Sequence, residues 1–98
     1  MAYKLIWSPA SLDDLSDIVS FIARDSRDRA EAFGYRLITA TDKLQDFPEV
    51  GRLVPEYEVP TIREIIVRSY RIVYRVNHDR KLVEIARVWR ATRGTPQL

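Results

Sequence analysis

Three kinds of residue are scarce or missing in this chain, and each scarcity excludes a class of function. The 98 residues include no cysteine, one histidine and three glycines. Without cysteine there can be neither a disulfide framework nor a thiolate metal centre, which is compatible with a reducing compartment. His78 cannot form a paired-histidine metal site, and the chain has no glycine-rich phosphate loop and no nucleophile elbow. We therefore expect no metal and no cofactor.

Long hydrophobic runs are also absent. Nowhere do 18 or more apolar residues follow one another, and residues 1–7 lack the apolar core and cleavage site of a secretory leader. Hydrophobic residues make up 46% of the chain and charged residues 31%, which is typical of a globular protein rather than a disordered one. We expect one cytoplasmic domain over residues 1–98, with no membrane partner.

The charges are unevenly distributed. Residues 1–50 hold 6 basic and 9 acidic side chains, whereas residues 51–98 hold 10 basic and 5 acidic ones. Thirteen of the sixteen cations are arginines, and a guanidinium binds phosphate or carboxylate through two parallel hydrogen bonds. The second half of the chain is therefore expected to face an anionic partner, unless its arginines only form weak surface ion pairs.

The first half has the pattern of a strand followed by two helices. Residues 3–7 predict a short strand, and Ser8 with Pro9 predicts a helix start. Apolar residues then recur at spacings of three and four, at Leu12, Leu15, Ile18, Val19 and Ile22. A second helix is predicted to begin with a capping box at residues 28–31 and to end before Pro48.

The second half has the pattern of strands. Prolines at 48, 55 and 60 predict an ordered loop, and strands follow at about 62–67, 71–77 and 82–90. The element order is β-α-α-β-β-β. It predicts an α+β fold, in which a helical hairpin packs on one face of a mainly antiparallel four-stranded sheet and leaves the other face partly open.

The most distinctive segment runs from Ile62 to Val76, where arginines alternate with β-forming residues. Successive side chains of a strand point to opposite faces, so Arg71 is expected on the open face and Tyr74 on the core face. Arg71 could then bind an anionic partner, or pair across the sheet with an acidic residue such as Glu84. Because an open-face side chain is loosely packed, we expect Arg71→Ala to keep the fold.

Other residues capable of chemistry also fit structural roles. His78 lies in the polar turn at residues 77–81 and is expected to be solvated. Glu56 and Glu58 could exchange protons, but two carboxylates in a proline-broken loop are common. Trp89 fits core packing at a strand end, or alternatively stacking on a partner.

Short motifs spread over nearly the whole chain occur in a characteristic order: Trp7-Ser8, Asp14-Leu15, Phe47-Pro48, Gly51-Arg52, Pro55-Glu56, Ile62-Arg63-Glu64, Tyr70 to Val76, and Arg87 to Arg90. Together they resemble the RelE/ParE superfamily of toxins from bacterial type II toxin-antitoxin systems. The resemblance implies a small toxin that a cognate antitoxin holds inactive in a hetero-oligomer.

This superfamily has two mechanistic branches. One cuts messenger RNA in the ribosome, and Arg71 falls on its catalytic arginine. The other, the ParE branch, poisons DNA gyrase and performs no known bond chemistry. Ile62 and Glu64 stand where the nuclease branch usually carries lysines, and Arg90 where it often carries a histidine. The resemblance is therefore closer to the ParE branch and implies a gyrase poison.

Two alternatives to a gyrase poison stay open. The chain could be a ribosome-dependent mRNA endoribonuclease that uses Arg71 to stabilise the phosphorane. It could also be a non-toxic arginine-rich module whose nucleic-acid binding weakens steeply with salt.

Two sets of surface residues follow from the resemblance and the apolar pattern. The set expected to contact gyrase, or alternatively the ribosome and mRNA, comprises Arg63, Arg68, Arg71, Arg87, Trp89, Arg90 and Arg93. The set expected to contact the antitoxin lies on the two helices and comprises Leu12, Leu15, Val19, Phe21, Ile22 and Tyr35.

Overall fold

The structure is a computed structural model that describes residues 2–98. The first elements in chain order are β1 (Lys4–Trp7), α1 (Pro9–Ala23), α2 (Arg27–Thr39) and a 3₁₀ turn (Asp42–Gln45). The remaining elements are β2 (Arg52–Leu53), β3 (Ile62–Val67), β4 (Tyr70–Asn77), β5 (Leu82–Arg90) and a second 3₁₀ turn (Ala91–Arg93). The three strands predicted in the second half are confirmed to within one residue.

The strands form one sheet of five, in the order β1-β5-β4-β3-β2. β1 runs parallel to β5, with Lys4 opposite Leu82, while the other neighbouring strands are antiparallel. The α+β class is confirmed, but the predicted count of four strands omitted β2. This strand is only two residues long, too short to show an alternating pattern, and it forms because Arg52 lies opposite Glu64 of β3.

A serine side chain caps the N-terminus of each helix. Ser8 Oγ accepts a hydrogen bond from the Ser11 amide at 3.0 Å and donates to the Ala86 carbonyl at 2.9 Å, which ties the start of α1 to β5. In α2 the cap is Ser26, whose Oγ accepts from the Arg29 amide at 3.2 Å. The predicted capping box lay two residues too late, and the predicted second helix was too long, because the chain tightens into the 3₁₀ turn after Thr39. Within residues 2–98, no helix is both long and apolar enough to cross a membrane.

The core lies between the helical hairpin and one face of the sheet. Ile72, Tyr74 and Val76 of β4 belong to this core, as the alternation predicted. From the helices, Ile18 and Leu37 are buried against them. Most of the predicted apolar stripe of α1 packs inward, since Leu15 and Ile22 also contact the core.

The second sheet face is covered in part by two segments rather than left open. One is the loop at residues 54–61, and the other is residues 94–98, which we call the C-terminal strap. Tyr57 Oη of the loop donates to the Pro96 carbonyl of the strap at 2.5 Å, and the Pro96 side chain is fully buried. Arg71 lies beneath them and is only 6% exposed. The expectation that Arg71 occupies an open face was therefore wrong, because nothing in the local pattern of β4 signals these distant segments.

Candidate functional site

Arg71 lies at the centre of an ion cluster on the second sheet face. Its Nε donates to Glu64 Oε1 at 2.6 Å, and its Nη1 and Nη2 donate to the two carboxylate oxygens of Glu56 at 2.9 and 2.6 Å. Nη1 also lies 3.4 Å from the Gly94 carbonyl oxygen of the strap. Two carboxylates therefore hold the guanidinium from two sides, which is geometry typical of strong charge-assisted pairs.

Glu64 is the buried carboxylate of this cluster, with a side chain that is 0% exposed. Its second oxygen, Oε2, accepts from Arg52 Nε at 2.7 Å. One buried carboxylate is thus shared between the buried Arg71 and the exposed Arg52. The alternative expectation, that Arg71 pairs with an acidic residue across the sheet, is confirmed, but the partner is Glu64 of β3, whereas Glu84 binds Arg75 at 2.9 Å.

The charges of the cluster stabilise one another. Hydrogen bonding from Arg71 lowers the pKa of Glu56 from 4.5 to about 2. The same contact, together with Glu64, raises the pKa of Arg71 above its ordinary value, against the opposing effect of burial. Glu56 and Arg71 therefore stay ionised at neutral pH, but little of the Arg71 charge is available to a partner.

Arg87 is neutralised in a similar way by the first helix. Its Nε and Nη2 donate to the two Asp14 oxygens at 2.8 and 2.9 Å, and this contact raises the pKa of Arg87. Asp14 Oδ2 also accepts from the Val88 amide at 2.9 Å. Because β1 ends at Trp7, the Asp14 carboxylate takes the place of a neighbouring strand at this edge of β5.

Trp89 is buried in the same region and is only 2% exposed. The guanidinium carbons of Arg87 and Arg93 lie 4.8 and 3.9 Å from its ring centroid, and its Nε1 donates to the Gly94 carbonyl at 3.2 Å. These contacts agree with core packing at a strand end, which is one of the two roles expected for Trp89. At 2% exposure, Trp89 offers almost no surface to a partner.

Arg63 stabilises the loop that precedes β2. Its Nη1 donates to the Gly51 carbonyl at 2.9 Å. The adjoining Tyr74 hydroxyl accepts from the Gly51 amide at 3.0 Å and donates to the Pro48 carbonyl at 2.8 Å, and burial raises the pKa of Tyr74. A Cβ atom at Gly51 would lie 2.6 Å from the Tyr74 hydroxyl oxygen, so only glycine fits here.

Arg68 and Arg90 lie apart from these clusters, at a groove between the helical hairpin and the turn that joins β3 to β4. Arg68 adopts a positive φ of 53° in that turn, and the Arg90 guanidinium lies 5.7 Å from the Tyr70 ring centroid. The groove has a volume of about 530 Å³. We call it the arginine groove, and its lining residues are Phe21, Ile22, Asp25, Arg29, Ala32, Phe33, Arg36, Arg68, Ser69, Tyr70 and Arg90.

The predicted antitoxin-binding residues divide into two groups. Three are strongly exposed, at 51%, 60% and 72%, namely Leu12, Phe21 and Tyr35. The other three are partly buried by the protein itself, namely Leu15, Val19 and Ile22. The apolar surface that the helices leave for a partner is therefore narrower than the sequence pattern indicated.

Several carboxylates and one histidine have contacts that the sequence did not indicate. Glu56 binds Arg71 fifteen residues away, and no local pattern could have identified this pair. His78 is less free than expected, since its Nδ1 is hydrogen-bonded to the Tyr3 hydroxyl at 2.7 Å and its Nε2 lies 3.3 Å from Glu49. Residues 2–98 contain no group of three or more His, Cys, Asp or Glu side chains that could hold a metal ion.

Comparison with known proteins identifies the group to which this fold and sequence belong. The family described as ParE toxin of type II toxin-antitoxin system, parDE, matches residues 5–94. The chain is 36% identical over 91 residues to Toxin RelE2 of Caulobacter vibrioides, covering 92% of this chain and 97% of that relative.

Two solved structures share the fold. One is from the chromosomal ParDE toxin-antitoxin system of P. aeruginosa, with a TM-score of 0.75 and 22% identity over 91% of this chain and 96% of that one. The other is from the intact E. coli RelBE toxin-antitoxin complex, with a TM-score of 0.64 and 22% identity over 92% of this chain and 98% of that one. The chain belongs to the ParE toxin family. It is a type II toxin of the RelE/ParE superfamily, as the order of its motifs indicated.

Proposed function

We propose that this toxin inhibits growth by poisoning DNA gyrase and does not cleave RNA. The observation that carries the proposal is the state of Arg71, which is 6% exposed and held by the carboxylates of Glu56 and Glu64. Arg71 is the residue on which the nuclease alternative depends. Here its charge stabilises the fold.

Ribonucleolytic chemistry needs cations that are free to stabilise a phosphorane, and groups that move protons to and from the ribose and the leaving oxygen. The four N–H···O contacts of Arg71 already engage Glu64, Glu56 and Gly94. A phosphate brought to this cluster would meet the partly exposed Glu56 carboxylate, because the side chains of Arg71 and Glu64 are only 7% and 0% exposed. This arrangement supports a docking role for the toxin rather than a catalytic one.

An antitoxin partner is part of the proposal. The neighbours in fold come from ParDE and RelBE toxin-antitoxin systems, and this chain exposes Leu12, Phe21 and Tyr35 on its helices. Apolar side chains that the fold leaves exposed on helices are available to a partner that presents an apolar face. We propose that the cognate antitoxin binds here and holds the toxin inactive, and that the free toxin acts in the cytoplasm, where gyrase works.

Two parallel assays test the target. In a supercoiling assay, the purified toxin is expected to inhibit gyrase or to trap cleaved DNA, and addition of the cognate antitoxin is expected to restore supercoiling. In a translating extract, the same toxin is expected to leave messenger RNA intact. Truncated messenger RNA together with normal supercoiling would overturn the proposal in favour of the endoribonuclease.

A further inference from the structure

We propose that the arginine groove binds single-stranded DNA, through contacts of its guanidiniums with phosphates and of its aromatic side chains with bases. The groove lies on the helix side of the molecule, away from the Arg71 cluster. The choice of DNA over RNA rests on the proposed function, because gyrase acts on DNA. The binding surface itself is defined by its guanidiniums, its exposed aromatic ring and its shape.

Four of the thirteen arginines form ion pairs with carboxylates, and the other nine form none within residues 2–98. On the second sheet face, Arg52, Arg71 and Arg75 form ion pairs with carboxylates, as Arg87 does beside α1. The four arginines that line the groove form no ion pair within residues 2–98: Arg29, Arg36, Arg68 and Arg90. The other five arginines without an ion pair, Arg24, Arg27, Arg63, Arg80 and Arg93, do not line the groove, so the groove gathers four of these nine guanidiniums around one concavity.

Like charges gathered around one concavity repel each other and focus the potential into it. Asp25 is the only acidic residue among those lining the groove, so the four guanidiniums outnumber their possible internal partners. An external polyanion would relieve this repulsion and release counterions from its own backbone. Phosphate suits guanidinium groups well because both can form paired hydrogen bonds.

The aromatic side chains of the groove favour nucleic acid over an acidic peptide. Phe33 and Tyr70 are partly buried against the core and contact each other, with ring centroids 5.7 Å apart and planes inclined by 49°, so the exposed ring of the groove is that of Phe21. Phe21 is 60% exposed at the same groove, with the Arg24 guanidinium 5.8 Å from its ring. Basic grooves that carry aromatic faces are typical of single-strand binding, because every base has a face that can stack. The groove volume of about 530 Å³ lies within the range of ligand sites, roughly 300–1,000 Å³.

Fluorescence anisotropy with a labelled 20-nucleotide oligothymidine tests the charge contacts. The double variant Arg29→Gln/Arg36→Gln removes two exposed guanidiniums from the groove. The matched control Lys43→Gln/Arg80→Gln removes two exposed cations that do not line the groove. In single-strand binding, the slope of log Kobs against log[salt] is about −0.7 for each phosphate contacted. We expect the groove variant to lose about 1.4 from the magnitude of this slope and the control to keep the wild-type slope. Equal slopes for the two variants would overturn the proposal.

A second pair of variants tests the stacking contacts. Phe21→Ala is expected to raise Kd for the oligothymidine about tenfold while leaving the salt slope unchanged. Tyr35→Ala removes an aromatic ring that is 72% exposed but outside the groove, and is expected to change neither quantity. Thermal denaturation of all variants checks that each one is folded. An unchanged Kd for Phe21→Ala would show that the aromatic face takes no base.

Competitors identify the class of ligand. Unlabelled oligothymidine is expected to displace the probe at lower concentration than oligouridine or polyglutamate of the same length. Tighter binding of polyglutamate would instead identify an acidic-peptide groove, and tighter binding of oligouridine an RNA groove, and either result overturns the assignment to DNA. Gyrase inhibition is measured separately on the wild-type toxin. Gyrase inhibition without oligothymidine binding would refute DNA binding by the groove and leave the proposed function intact. Oligothymidine binding without gyrase inhibition would refute the proposed function alone.

Discussion

Replacement of Arg71 by alanine is expected to destabilise the protein strongly. The substitution removes both hydrogen bonds to Glu56 and the one to Glu64. The Glu64 side chain is 0% exposed, so its carboxylate would stay buried with only Arg52 as an ionic partner. This expectation replaces the sequence-based one, in which Arg71 was on an open face and could be truncated at little cost.

The magnitude follows from the burial of the pair. Removal of one member of a buried ion pair costs about 3–5 kcal/mol, because the remaining charge is no longer compensated. Arg52 still binds Glu64 at 2.7 Å, so we expect a loss of about 3 kcal/mol, at the lower end of that range. Replacement of both charges by apolar side chains, in Arg71→Met/Glu64→Leu, leaves no buried charge and should fall within about 1 kcal/mol of the wild type.

Urea unfolding at neutral pH, followed by tryptophan fluorescence, measures these differences. At a slope of about 1.5 kcal/mol/M, the loss for Arg71→Ala corresponds to a midpoint about 2 M lower. The control is Arg75→Ala on the same strand and face, whose pair with Glu84 is exposed at 45% and 32%. It should cost less than about 1 kcal/mol. If Arg71→Ala were as mild as this control, or if the double variant were no better than the single one, the reasoning would be refuted.

Three further predictions concern other contacts. Glu56 has a folded pKa of about 2 against 4.5, so its stabilisation is present above pH 4.5 and is lost as pH falls towards 2. As pH falls through this range, the free energy of unfolding of the wild type should decrease by about 1 kcal/mol more than that of Glu56→Gln, measured by unfolding curves in acid. The difference is small because the Glu56 side chain is 28% exposed and partly screened by solvent. Gly51→Ala should cost about 1–3 kcal/mol in urea unfolding, since its Cβ would lie 2.6 Å from the Tyr74 hydroxyl; a neutral effect would contradict the tight fit. Asp14→Ala should lower the free energy of unfolding by about 2 kcal/mol. Asp14→Asn should lower it less, because asparagine can still accept a hydrogen bond from the Val88 amide. Equal losses for the two variants would assign the whole effect to the ion pair with Arg87.

Local signals were sufficient for most of the fold. Ser8 with Pro9 predicted the start of α1, and the Ser8 cap is present. The alternation in β4 correctly assigned Ile72 and Tyr74 to the core face. The errors were at element ends and in the shortest strand. The cap of α2 is Ser26 rather than the predicted box, and β2 spans only Arg52–Leu53.

The arginine-rich strands were harder to interpret. The alternation of side chains along a strand indicates which face of the sheet a side chain occupies, but not what covers that face. Arg71 and Arg68 look equivalent in the sequence, yet Arg71 is buried in an ion cluster while Arg68 is exposed at the groove. Neutralisation of Arg71 requires Glu56, from a loop fifteen residues away, and Glu64 of the neighbouring strand β3.

The sequence by itself determined the α+β class, the faces of β4 and, through the order of short motifs, the toxin superfamily. These features depend on local backbone preferences and hydrophobic periodicity, which residues close together in the sequence determine. Only the tertiary structure decided which arginines are neutralised and which remain available to a partner. That outcome depends on long-range contacts of Glu56, Glu64 and Asp14, and the energy of an ion pair depends on separation and burial, which no sequence spacing specifies.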